Sequence, residues 1–153
     1  MEILDQEYKK KPENDPIEVA SLKQELSDYK KHILNGKTAL YVLIFLTVIG
    51  GIVGYFISNM ELIYVVIELV VYFIFYAIAL NIFDEKPKTA LIITLSIYVF
   101  QVIVNTLSDP TLLFKGFIFK IAFLYFLVKG IDAANKFETL KKKLEGMGET
   151  FHL

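Results

Sequence analysis

Residues 61–83 read ELIYVVIELVVYFIFYAIALNIF, an apolar run interrupted inside by Glu68 and Asn81. As a helix rising about 1.5 Å per residue, this stretch reaches about 34 Å, enough to cross a hydrocarbon core roughly 30 Å thick. Three more apolar runs of similar length surround it, at 38–58, 89–108 and 111–131. The spacing predicts four transmembrane helices. The fold class expected is therefore all-α, a four-span helical bundle with amphipathic cytoplasmic helices at both ends.

Composition points the same way. Hydrophobic residues make up 55% of the chain and the mean hydropathy is +0.51, more apolar surface than a soluble fold of 153 residues could bury. There is no Cys, so disulfides, thiolate metal sites and Cys nucleophiles are excluded. The two His residues, His32 and His152, stand too far apart in sequence to suggest a metal site, and no cofactor is expected. A Ser-His-Asp grouping, a Gly-rich phosphate loop and an HExxH motif are all lacking. The chain does not read as an enzyme, and no nucleic-acid partner is expected.

Charge distribution orients the spans. All 16 basic residues are Lys. Lys9, Lys10, Lys11, Lys23, Lys30, Lys31 and Lys37 precede the first span; Lys86 and Lys88 lie between the second and third; Lys129, Lys136, Lys141, Lys142 and Lys143 close or follow the fourth. The opposite loops, Asn59-Met60 and Asp109-Pro110, hold none. Lys-rich short loops stay cytoplasmic, which predicts both termini inside. The segment 1–15 is polar without an apolar core, so it reads as a disordered tail and not as a signal peptide.

The flanking segments carry helical signals. Asp15, Pro16 and Glu18 read as an N-cap, an N1 proline and a capping acid, and Asn35-Gly36 reads as a helix stop, predicting a cytoplasmic helix over 16–36. Within it Val19, Leu22, Leu26, Tyr29 and Ile33 recur every three or four residues, a narrow apolar seam. A helical extension over 132–148 repeats the rhythm with Ala133, Phe137, Leu140, Leu144 and Met147, before a short tail at 149–153. Two seams on one side of the membrane invite pairing and assembly; the alternative is two amphipathic helices resting on lipid headgroups.

Polar and small residues inside the spans are the candidate functional set. Gly50, Gly51 and Gly54 form a surface on which another helix can approach closely. Glu61 and Glu68 share one face of the second span. Gln101 and Asn105 lie on a polar stripe of the third, and Lys115 and Lys120 punctuate an aromatic-rich fourth. Counted from the outer ends, Glu68 and Gln101 lie about 10 Å deep, Lys115 about 6 Å and Lys120 about 14 Å. A lone charge so deep costs at least about 2.5 to 3.5 kcal/mol, so Glu68 and Lys120 should face the bundle interior, an interface or water. Two readings of that pair stand side by side: a buried ion pair fixing helix order, or the lining of a hydrated pathway.

The segment FKGFIFKIAFLYFLVKGIDAANKFETLKKK, residues 114–143, with its Lys-rich and Arg-free wording, resembles small bacterial four-span membrane proteins of unknown function. That resemblance implies the same membrane architecture and carries over no functional residue. Small multidrug exporters also have four spans and an embedded Glu, but theirs lies in the first span and they lack the cytoplasmic helices. Four packed helices fill their own centre, so permeation calls for self-association. The functional expectation is a homo-oligomeric ion-permeable pore or membrane-perturbing effector in the lipid bilayer. The alternatives are an anchor or adaptor recruiting a cytoplasmic protein partner through its helices, and a small transporter using Glu68.

Overall fold

The computed structural model describes residues 16–58, 62–113 and 116–148 and shows an all-α protein. Helix α1 runs over Pro16–Ser58, α2 over Leu62–Phe83, α3 over Pro87–Ser108 and α4 over Phe117–Gly146, with a 3-10 turn at Pro110–Leu113 between α3 and α4. The tails 1–15 and 149–153, and with them Asp15, lie outside the described residues. Consecutive helices pack side by side and α4 closes the ring against α1. The result is an up-down-up-down bundle with α1 and α3 on the closer diagonal.

Three helices, those of α1, α2 and α3, are long and apolar enough to cross a membrane. Their outer surfaces are apolar: Phe45, Phe73 and Phe100 are each 60% exposed or more. A belt of that kind on a water-soluble surface would be an association hazard; against lipid it costs nothing. The fourth helix is different. Its first sixteen residues include Lys120, Lys129 and Asp132, and it starts at Phe117, not at Thr111 as expected.

The late start has a local cause. The Asp109 carboxylate oxygen Oδ1 accepts hydrogen bonds from the Thr111 amide at 2.9 Å and the Thr111 hydroxyl at 2.7 Å. This fixes a turn at the end of α3, because a short acidic side chain competes with helical backbone bonding. Gly116 then takes φ +69°, a left-handed conformation open to glycine, just before α4 begins.

The second departure lies at Asn35-Gly36. The expected stop does not occur: α1 is one helix of 43 residues, about 64 Å long at 1.5 Å per residue. Gly36 is used for packing. A Cβ at Gly36 would lie 2.8 Å from Leu91 Cδ2, and one at Gly130 would lie 3.0 Å from Leu91 Cδ1 and 3.6 Å from the Gly36 Cα. Helices α1 and α4 thus cross at two glycines, and the fully buried Leu91 of α3 is wedged between them. An Asn-Gly pair ends a helix only when nothing rewards continuing it; here the close approach of three helices does.

Beyond that crossing, the first half of α1 and the last half of α4 form an antiparallel two-helix stalk. Leu22, Leu26, Ile33, Ala133, Phe137 and Leu144 are buried there in the same apolar cluster that fills the bundle, with Val19, Tyr29, Leu140 and Met147 packed against it. The two seams face each other within one chain. A salt bridge from Lys143 to Glu18 at 3.0 Å closes the far end. At the near end Lys37 pairs with Asp84 at 2.6 Å and sits 5.1 Å over the Phe83 ring, while Lys88 donates to Asn135 at 2.7 Å. These contacts tie all four helices at one level, where the apolar belt ends.

The crossing generates a test. Gly36→Ala should destabilise the chain by about 1–3 kcal/mol, since the methyl that must shift belongs to the fully buried Leu91. Gly50→Ala, where a Cβ meets nothing within 4 Å, should be neutral or stabilise by up to about 1 kcal/mol through helix propensity. Unfolding followed by circular dichroism in detergent checks both, and equal effects would show that the crossing is not tight.

Candidate functional site

The core-facing stripes of the four helices do not stay packed along their whole length. Leu43 is the last buried residue of α1 and Tyr98 the last of α3, while Leu127 is the first of α4. On α2, Val65 is buried near the start, but Tyr72, Tyr76, Ala79 and Phe83 carry most of the contact at the other end. Packing is therefore dense beside the stalk and loosens toward the end that carries the 3-10 turn.

The polar candidates sit where it loosens. Seven residues, close to two helical turns, separate Thr94 from Gln101, Tyr98 from Asn105 and Lys120 from Leu127. Gln101, Asn105 and Lys120 thus continue the stripes that are buried further in. They are nevertheless half-buried or, for Asn105, exposed. Glu68 is exposed on the flank of the Val65–Tyr72 stripe. Leu69, on the other flank, meets Gly51 of α1, which turns Glu68 toward α3.

Register brings three of them to one height. Glu68 and Gln101 are about equally far from the α2–α3 turn at Asp84–Lys86, and the Lys88–Asn135 contact between antiparallel α3 and α4 sets Lys120 opposite the 101–103 turn. Glu68, Gln101 and Lys120 thereby stand level on three successive helices, with Asn105 one turn further out. Of the two readings of Glu68 and Lys120, the ion pair is not formed among the described residues. Helices α2 and α4 occupy the other diagonal of the ring, α3 stands between them, and Glu68 makes no hydrogen bond or ion pair among the described residues. Glu61 and Lys115 lie outside the described residues.

Inward of this level, large side chains close the bundle. Tyr72, Tyr76, Leu91, Tyr98 and Leu127 are buried, as is Thr94, whose hydroxyl donates to the Ala90 carbonyl at 2.8 Å. Of the three glycines in α1, Gly51 serves the α1–α2 contact, with its Cβ position 2.8 Å from Leu69 Cδ2, while Gly50 and Gly54 meet nothing within 4 Å. The seam residues Val19, Leu22, Leu26, Tyr29, Ile33, Phe137, Leu140 and Leu144 are consumed in the stalk. At the stalk, Glu25 raises the Tyr29 phenol above its ordinary value by accepting its hydrogen bond at 2.9 Å.

Residues that sequence reasoning passed over also matter here. The Lys37–Asp84 and Lys88–Asn135 clamps each join residues 47 positions apart, a separation at which charge and hydropathy patterns carry no pairing signal. Among the described residues no group of three or more His, Cys, Asp or Glu side chains could hold a metal ion. No family model, curated protein or solved structure matches this chain.

Because the chain has no Cys, single-cysteine variants report accessibility cleanly. With the protein in liposomes, a polar thiol reagent should modify cysteine at position 101 or 105 readily and at position 94, where the side chain is fully buried, far more slowly. Equal protection of all three would mean that the open end is closed.

Proposed function

We propose that this chain is a small integral membrane protein that supports ion permeation as an assembly of several copies. The observation that carries the reading is the set of polar side chains at one level, Gln101 and Lys120 on core-facing stripes and Glu68 on the flank of one, in the part of the bundle where packing is open. A carboxylate, an amide and an ammonium at such depth are costly in lipid, and hydration of the open end relieves that cost. The closed inner half argues against a route through one bundle, since Tyr76, Leu91 and Leu127 fill it. Conduction then belongs to an interface between copies, and the unoccupied face at Gly50 and Gly54 is suited to close approach of a second helix.

In this reading the chain crosses the membrane four times. The fourth crossing combines the 3-10 turn with the first part of α4, where the Lys129 ammonium donates to the Tyr125 hydroxyl one turn back at 3.0 Å. The Lys-rich level of the Lys37–Asp84 clamp faces the cytoplasm of a bacterial cell, with both termini and the stalk inside. A second reading, a non-conducting anchor, rests on the stalk: its apolar seams are occupied internally, so a cytoplasmic protein partner would meet its charged outer faces.

The deciding experiment is reconstitution of purified protein into liposomes, with particle mass and ion flux measured on the same sample. A multimer that passes ions, with Glu68→Gln shifting the cation-to-anion preference and Asn105→Leu lowering conductance, is the expected result. Well-folded monomers passing no ion under voltage or pH gradients would sink the pore reading and favour the anchor.

A further inference from the structure

Between α1 and α2, on the membrane-facing side, lies an apolar cavity of about 230 Å³ walled by Ile44, Thr47 and Val48 of α1 and by Leu69, Phe73 and Tyr76 of α2, among others. Its position is deep. Thr47 lies ten residues beyond Lys37 and Tyr76 eight before Asp84 along their helices, so both stand about 12–15 Å past the Lys37–Asp84 clamp, near the middle of a 30 Å hydrocarbon layer.

Two hydroxyls in its wall stand beside each other without a well-formed hydrogen bond. Thr38, Thr94, Ser96, Thr106 and Ser108 each donate to the carbonyl four residues back in their helix. Thr47 makes no such bond among the described residues. The Tyr76 side chain is 1% exposed and its hydroxyl has no hydrogen-bond partner. The Thr47 hydroxyl is within interacting reach of it, but the contact is too loose to count as a hydrogen bond of ordinary geometry. An unbonded hydroxyl in an apolar interior carries a desolvation penalty, and an unmet donor proton is tolerated less well than a spare lone pair.

We propose that this cavity binds a membrane-dissolved single-ring molecule bearing a carbonyl oxygen, of the quinone class, with that oxygen accepting from Tyr76 and Thr47. The ring matches the volume: an engineered apolar cavity of about 150 Å³ takes benzene, so 230 Å³ admits a ring with small substituents. An acceptor-only group suits two donors, since one carbonyl oxygen has two lone pairs. Phospholipid ester carbonyls sit near the interface and do not reach this depth, and an acyl chain fills the space without bonding either hydroxyl. This site is independent of the permeation reading.

Duroquinone and durene provide the test, because they share one tetramethyl ring and differ in the two carbonyls. Binding to the full chain in lipid nanodiscs is measured by equilibrium dialysis against empty nanodiscs. Duroquinone should bind saturably, one per chain, roughly tenfold tighter than durene, the effect of one to two net hydrogen bonds. Tyr76→Phe and Thr47→Val should each reduce that ratio roughly threefold or more without changing durene binding, and Val48→Phe should weaken both ligands. If Tyr76→Phe fails to fold, Thr47→Val carries the same comparison. A ratio near one in the unaltered protein, a ratio unmoved by the hydroxyl deletions, or uptake no greater than into empty nanodiscs would each overturn the assignment.

Discussion

Leu91, held between Gly36 and Gly130, is the contact on which the rest of the molecule is arranged. With Cβ positions at 2.8 and 3.0 Å from its methyl groups, neither glycine tolerates a larger residue without displacing a fully buried side chain. The approach brings the α1 and α4 backbones together at the end of the apolar belt, so both helices pass through that boundary unbroken. In lipid, where helix association gains little from the hydrophobic effect, close backbone approach and dense dispersion contacts supply much of the attraction. On the stalk side water is the solvent, and burial of Leu26, Ile33, Phe137 and Leu144 supplies it instead. One pair of helices is thus held by two different forces, joined at the two glycines.

This division explains why the bundle is tight at one end and open at the other. Near the crossing, small residues such as Ala79, Ala90, Ala133 and Ala134 are buried and bring helices close. Toward the far end the stripes carry Gln101 and Asn105, whose polar atoms need partners or water. A dry, dense interface there would leave them unsatisfied; a splayed one lets them hydrate. Polarity and looseness are two aspects of one constraint.

Much of the fold was legible in hydropathy alone, because α2, α3 and the second half of α1 are long and apolar enough to cross a bilayer. The stalk seams were legible for the same reason, in a three-four rhythm that survives into the structure. What failed were positions where one residue type serves two purposes. Gly36 reads as a stop by its neighbour Asn35, yet it works as a gap for Leu91, a residue 55 positions away in sequence. Gly50, Gly51 and Gly54 look alike on paper, but only Gly51 meets a neighbouring helix within the chain. Thr111 opens an apolar run, yet the Asp109 side chain holds it in a turn. For the candidate site, depth was readable by counting residues; the order of helices around the ring was not. That order separates Glu68 from Lys120 by placing α3 between them.

The same reasoning separates two kinds of polar group in this membrane domain. Glu68, Gln101 and Asn105 stand where the bundle opens, so hydration accounts for them without any ligand. Tyr76 is fully buried and Thr47 half-buried beside a cavity with almost no polar surroundings, and the helical carbonyls that satisfy Thr94 and Thr106 are not used by Thr47. Loss of the Tyr76 hydroxyl should therefore cost the unliganded protein nothing and even stabilise it, because a donor without an acceptor opposes folding. A residue that stability alone would replace by Phe is best explained by what enters the cavity next to it.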